Sequence, residues 1–194
     1  MKLALLEDMN DPFELLGVEL KTKADRAAFR QLKAEMNRTI GVLCFSRTWI
    51  NPVLWSHYAD RHRGLCLGFD ILDEWAKEVT YTGTRLKSEV ESALPSDDKE
   101  TTGYKLITTK YEHWQYEDEV RLLVRLEHAQ QEDQQYYLPY CKALQLREVI
   151  TGPRNSLPKA ALVTTMSEVD AKVSIIRSRL AFRSFKVVRN RAAG

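Results

Sequence analysis

The chemistry in this chain is densest in HWQYEDEVRLLVRL, where Glu117 and Glu119 stand two residues apart at the entrance to an apolar run. Side chains two apart in a strand share a face. Both acids are therefore expected on one surface, bordered by Trp114 and Tyr116, while Val120, Leu122, Val124 and Leu126 take the opposite, buried face. Carboxylates held together can raise one pKa, orient a sugar hydroxyl or stabilise a developing cation. The plain alternative is an exposed ladder, in which Glu119 and Arg121 share a face and pair as surface charges.

A second crowded stretch is NPVLWSHYADRHRG, residues 51–64. Asn51 is a good helix N-cap and Pro52 a good first helical residue. Gly64 can end that helix in the left-handed conformation. His57 and His62 are five apart, whereas a helical zinc pair is four apart, so no metal site is expected. Leu54 and Trp55 anchor such a helix, leaving His57 and Tyr58 to face a cleft. Ser46 and Ser56 lack the G-x-S-x-G elbow of a nucleophilic serine. With no G-x-G-x-x-G and no P-loop, arginines would have to bind any phosphate. The strongly basic region is the last: Arg177, Arg179 and Arg183 share strand parity, and no acid follows Lys172. That face suits the phosphates of a nucleotide or nucleic acid, or a solvated sheet edge protected against aggregation.

These groups must be positioned by a chain of 194 residues, enough for one domain over 1–194 with its own core. TKADRAAFRQLKAEMNR reads as a helix capped by Thr22, and IGVLCFS and GLCLGFD read as strands. EVRLLVRL and REVIT read as further strands, SLPKAALVTTMSEV as a helix, and the C-terminal SIIRSRLAFRSFKVV as strand. NDPFELLG suggests a turn into a short helix, and KLITTKYEHW a helix. The polar segment 88–103 reads as a mobile loop. Helices and strands mix without a βαβ rhythm, so the expected class is α+β, with a mostly antiparallel or split central sheet and flanking helices. A net charge of +2 is low for a protein that binds nucleic acid with its whole surface. Cys44, Cys66 and Cys141 have no metal-ligand spacing and read as free thiols, the first two buried, in a reducing cytoplasm. No apolar run is long enough to span a membrane, and the first residues do not form a signal peptide.

Taken in order, NDPFE, a strand ending in Ser46, W-S-H-Y-A-x-x-H-x-G-L-C-L-G-F and K-x-x-x-W-x-Y-E-x-E-x-R resemble the bacterial domain-of-unknown-function family 2971. The residues carrying the resemblance include Asn10, Asp11, Pro12, Phe13, Trp55, His57, Tyr58, His62, Gly64, Lys110, Trp114, Tyr116, Glu117, Glu119 and Arg121. The family name supplies no activity. CFSRT and YEDEVRLLV are in addition similar to the serine and E-x-E motifs of Arg-Ser-Glu-type ADP-ribosyltransferases. That similarity implies an NAD-dependent glycosyl transfer onto a protein or nucleic-acid acceptor. Glu119 would hold the nicotinamide ribose and stabilise an oxocarbenium-like transition state, Glu117 would orient the acceptor, and Ser46 would support Glu119. Trp55, His57 and Tyr58 would form one wall of the cleft and the Trp114–Glu119 segment the other, with Tyr116 and Arg121 in its lining. The resemblance implies a strand before NDPFE carrying an arginine; the chain starts almost at NDPFE, which leaves Arg47 or the C-terminal arginines to replace it. Two other functions stay open: a nucleic-acid-binding module built on Arg177, Arg179 and Arg183, and a non-catalytic interaction protein of bacterial or phage conflict.

Overall fold

Local sequence signals account for the starts of two helices. In the computed structural model, which describes residues 1–86, 99–167 and 172–191, helix α1 runs over Lys23–Thr39. The Thr22 hydroxyl accepts from the Asp25 N–H at 3.0 Å, and an Asp25 carboxylate oxygen accepts from the Thr22 N–H at 2.8 Å. This reciprocal capping box satisfies donors that a helix start leaves bare. Phe29 and Met36 project from α1 into a core with Leu6, Leu15, Val18, Val42, Leu106 and Ile107. Helix α2 covers Pro52–Tyr58, with the Asn51 side chain accepting from the Val53 N–H at 2.9 Å. Helix α3 is Lys99–Ile107 and α4 is Lys159–Ser167. Of the segment 88–103 expected as a loop, residues 88–98 lie outside the described ones, and α3 begins at Lys99.

The chain divides into two compact units, the first made of Met1–Phe45 and Glu74–Pro139, the second of Ser46–Asp73 and Tyr140–Gly194. In the first, strand β6 (Glu119–Arg125) lies between β1 (Ile40–Ser46) and β3 (Ala76–Glu78). Both hydrogen-bonding edges of β6 are therefore paired. Residues 119–122 are all buried, on both faces, in place of the one buried and one open face expected from the sequence. Strands β4 (Thr80–Thr82) and β5 (Thr109–Tyr111) pair in parallel, and β7 (Gln130–Glu132) and β8 (Gln135–Tyr137) form a hairpin. Its turn residues Asp133 and Gln134 have φ of 47° and 62°, the left-handed geometry of a tight hairpin. The KLITTKYEHW segment is not one helix. It ends α3, forms β5 and enters a 3₁₀ turn over Glu112–Glu117. NDPFELLG forms turns rather than a helix: the Asp11 side chain accepts from the Phe13 N–H at 2.9 Å, and Leu15 is buried at φ 67°.

In the second unit the sheet order is β11-β10-β9-β2, with β2 at Leu65–Ile71, β9 at Leu144–Thr151, β10 at Ser174–Leu180 and β11 at Val187–Arg189. Strand β10 runs parallel to β9, which requires a crossover, and α4 lies in that connection. Strand β2 pairs antiparallel with β9. As an edge strand it is only half covered: Cys66 packs against the core of Trp55, Ala59, Ile150, Ile176 and Val187, while Leu65 and Leu67 are exposed. The architecture is α+β with its sheets split, as the mixed element order implied.

Candidate functional site

The two acids singled out by their spacing do not lie on an open surface. Glu117 ends the 3₁₀ turn, Asp118 follows at φ 45°, and Glu119 opens β6. That left-handed residue bends the chain so that both carboxylates reach one ammonium. Lys110 Nζ donates to Glu117 Oε2 at 2.5 Å and to Glu119 Oε2 at 3.2 Å. Arg121 clamps Glu119 with its planar fork, Nε to Oε1 at 2.8 Å and Nη2 to Oε2 at 2.9 Å. Arg121 Nη1 donates to Glu14 Oε1 and to the Ile107 carbonyl. The Glu119 N–H donates to the Tyr81 hydroxyl at 2.8 Å. All five charged side chains are buried, and Arg121 has no exposed surface at all. The exposed-ladder alternative therefore fails on burial, and the open acidic surface fails on pairing.

Three carboxylates face two cations in this cluster. Burial lifts Glu14 above the usual carboxylate range despite Arg121, and its Oε2 is buried without a hydrogen-bond partner among the described residues. Burial also pulls Glu119 upward, but the hydrogen bonds and charge of Arg121, with Lys110, outweigh it and hold the carboxyl below its ordinary value. Lys110 loses water as well, yet the charges of Glu119 and Glu117 keep its ammonium pKa raised. The cluster thus keeps one firmly ionised carboxylate and one crowded, partly starved one.

Lys110 also lines a cleft of about 350 Å³, with Phe13, Leu16, Gly17, Thr82, Gly83, Thr84, Arg85, Thr109 and Tyr111. The Arg85 guanidinium lies 5.6 Å from the Phe13 ring centre, and Lys110 Nζ 4.9 Å from that of Trp114. Trp114 in turn packs against Tyr116 at 5.9 Å between ring centres. Tyr111 stacks on His113 at 4.7 Å. No acid lines this cleft among the described residues, so its charged groups are cationic.

The other expected site residues are placed differently. The Ser46 hydroxyl donates to the Thr48 carbonyl at 2.9 Å, a local turn contact. The side chain of β1 that hydrogen-bonds Glu119 is Cys44, two residues earlier. Cys44 as a whole residue is exposed, but its thiol is turned to Glu119 and burial pushes that thiol well above its ordinary value. Arg47 falls just after β1, and Ser46, Arg47, Trp55, His57 and Tyr58 all belong to the second unit. Trp55 is a core residue there, 2% exposed, with its indole N–H donating to the Trp49 carbonyl at 2.6 Å. His57 and Tyr58 occupy the exposed face of α2. The helix stops at Tyr58 rather than running to Gly64, because Asp60, Arg61 and His62 are left-handed at φ 43°, 52° and 73°. His62 Nε2 meets Ser56 Oγ at 3.0 Å, and burial with the nearby Arg154 charge lowers the His62 pKa. Arg183 lies beyond β10, so the Arg177–Arg179–Arg183 stripe is not one strand face, and Arg177 Nη1 is used on the Leu157 carbonyl at 2.8 Å.

Glu14, Phe13, Arg85 and Lys110 are site residues that spacing alone did not assign, Lys110 having entered only with the family motif. Phe13 and Glu14 stand in NDPFE, whose turn delivers one ring to the cleft and one carboxylate to Arg121. Nothing local to Arg85 announces a role. Residues 54–122 match the model of a family described as a protein of unknown function, DUF2971. The match takes in Trp55, His62, Lys110, both acids and Arg121, while NDPFE and the strand ending in Ser46, on which the resemblance also rested, lie outside it. No curated protein and no solved structure matches the chain.

Proposed function

We propose that the first unit binds an anionic small molecule carrying a flat ring, a ligand of the nucleotide class with NAD among its members. The observation that carries this reading is the cleft above the buried cluster. Its walls include the Phe13 and Tyr111 rings, its charged lining residues are Arg85 and Lys110, and Thr82, Thr84 and Thr109 line it as well. Rings stack on bases and guanidinium groups bind phosphates bidentately. The volume falls within the range of small-molecule sites. Glu117 and Glu119 then act from below by holding the Lys110 ammonium in place. In this reading a Glu119 carboxylate already clamped by Arg121 serves electrostatics rather than proton transfer. Glycosyl transfer from NAD is the enzymatic form of the same proposal: the bond from the ribose to the nicotinamide nitrogen breaks, nicotinamide leaves and an acceptor nucleophile bonds to the ribose carbon. Glu119, which does not line the cleft, acts only through the Lys110 it holds.

Thermal unfolding of the whole chain with NAD, ADP, AMP or inorganic phosphate tests it. A ligand at one hundred times its Kd adds about 2.7 kcal/mol to apparent stability. A rise in Tm with a ring-bearing phosphate is expected, and its loss in Phe13→Ala and Arg85→Ala. Phe13 is 54% exposed, so its substitution should leave the ligand-free Tm near that of wild type. No shift with any of the four compounds, or an equal shift in both variants, overturns the assignment. Binding of NAD with no nicotinamide release retains the ligand class and removes the transfer step.

A further inference from the structure

We propose that the β10–β11 hairpin of the second unit is a binding surface for single-stranded nucleic acid, reading rings by stacking and phosphates by arginine. Two phenylalanines at its tip are almost wholly in water: Phe182 is 91% and Phe185 97% exposed. Apolar rings so placed contribute nothing to the core. The hairpin itself is well defined: Leu180 pairs with Val187, and the Ala181 N–H donates to the Lys186 carbonyl at 2.9 Å. Val187 and Ile176 anchor its base in the core of the second unit.

The cations around those rings are as concentrated as the rings are exposed. Between Lys172 and Arg191 stand Lys172, Arg177, Arg179, Arg183, Lys186, Arg189 and Arg191, seven positive charges without one acid. The whole chain carries +2, so the remaining residues carry 2 − 7, or −5. The positive charge is therefore a local feature, not a general basicity. Arg179, Arg183, Arg189 and Arg191 line one cleft of about 730 Å³ together with Phe182. The Arg179 guanidinium lies over the Phe182 ring, 4.6 Å from its centre, and so covers one of the ring's two faces.

The order in the tip is Phe182, Arg183, Ser184, Phe185, Lys186, so each ring is followed directly by a cation. A single strand offers the matching alternation of base and phosphate, and its unstacked bases accept any aromatic partner. A base in a duplex is already stacked on its neighbours, so the phenylalanines favour the open strand. A second copy of the same hairpin would bring like charges together, which argues against self-association as the role of these rings.

Fluorescence anisotropy of the whole chain with labelled oligonucleotides, DNA and RNA, single-stranded and duplex, tests this. Single strands are expected to bind more tightly than the duplex of the same sequence. Phe182→Ala and Phe185→Ala should each weaken binding by about 5- to 140-fold, the equivalent of losing one stacked base. Arg183→Ala with Arg189→Ala should instead lower the slope of log K against log salt by roughly 1.4, about 0.7 per lost contact. Both phenylalanines are at the tip, so wild-type Tm in these variants is the control for folding. No binding at low salt overturns the proposal. So does equal affinity for duplex and single strand with no effect of the phenylalanines, which leaves only diffuse charge attraction. Binding to anionic lipid vesicles but not to oligonucleotides, or a dimer that dissociates in Phe185→Ala, would assign the rings to a membrane or to a second copy and equally overturn it.

Discussion

Arg121 is the side chain on which the charge balance of the first unit turns. It spends its donors on Glu119, on Glu14 and on the Ile107 carbonyl, with no exposure to water. Removing one partner of a buried ionic cluster costs more than the cluster contributes, because the survivors stay buried and unpaired. Arg121→Met is expected to destabilise the protein by about 3–5 kcal/mol at neutral pH, read by chemical denaturation. The sign with pH follows from the carboxyls. Glu119 lies below its ordinary value, so its contribution is complete above the unfolded value of about 4.3 and is lost as pH falls through the folded one. Glu14 is raised and behaves oppositely: its folded form favours the proton, and stability is lost as pH climbs through its folded value. Without Arg121 both carboxyls lose their guanidinium, and protonation relieves them. The cost of Arg121→Met should therefore begin to shrink above the ordinary carboxyl value of about 4.3, where burial without Arg121 protonates the two carboxyls of the variant, and shrink further below it as wild-type Glu119 takes up its proton. A cost that stays constant from neutral to acid pH would mean that shape, not charge, is what Arg121 supplies.

At the scale of elements, the turn after α2 stores strain. Asp60, Arg61 and His62 are three successive non-glycine residues at positive φ, each costing roughly 1–2 kcal/mol. The turn is held by pairing with the end of β9 and the residues after it. The His62 carbonyl accepts from the Arg154 N–H at 3.0 Å, the Gly64 carbonyl from the Gly152 N–H at 2.9 Å, and the Arg63 carbonyl from the Asn155 amide at 2.5 Å. Gly152 allows this approach: a Cβ there would stand 2.1 Å from the His62 oxygen. Gly64 is glycine for the same reason, with the Ala59 backbone 3.0 Å from where its Cβ would be, and not for a left-handed cap. Arg61→Gly relieves strain at an exposed position and should raise stability by about 0.5–1 kcal/mol in denaturant unfolding. Gly152→Ala should lower it well beyond that. If Arg61→Gly were destabilising, the turn would owe its shape to the Arg61 side chain and not to its pairing with residues 152–155. This turn also marks the limit of what the sequence could disclose. The caps of α1 and α2 were legible because they depend on side chains within three residues. The stop at Tyr58 was not, because it depends on chain that arrives some ninety residues later. In the same way the spacing of Glu117 and Glu119 drew attention to both acids, but their convergence comes from the 3₁₀ turn and the left-handed Asp118 and not from strand alternation. Their burial was not legible, since Lys110 reaches both acids, and Glu14 reaches Arg121, only through the fold.

At the scale of the molecule, the residues of the matched segment 54–122 fall in two units, Trp55 and His62 in one and Lys110 to Arg121 in the other. Each unit closes a core from its own residues. That of the first gathers Leu6, Leu15, Phe29, Val42 and Ile107; that of the second gathers Trp55, Ile150, Ile176 and Val187. Their polar supports differ too, a buried ionic cluster in one and a strained turn locked to a sheet in the other. Cooperative opening follows contiguous packed groups, so the two substitutions argued above should leave different footprints. In native-state hydrogen exchange, Arg121→Met should speed the amides of β6 and of Leu106 and Ile107 first. Gly152→Ala should speed those of β9 and β10 first. Arg121 acts through carboxylates, so its footprint should fade at acid pH once intrinsic exchange rates are corrected. That of Gly152→Ala, a steric effect, should persist. If either substitution loosened both sets of amides to the same degree at every pH, the two cores would unfold as one, and the ionic cluster and the turn would support a single cooperative structure.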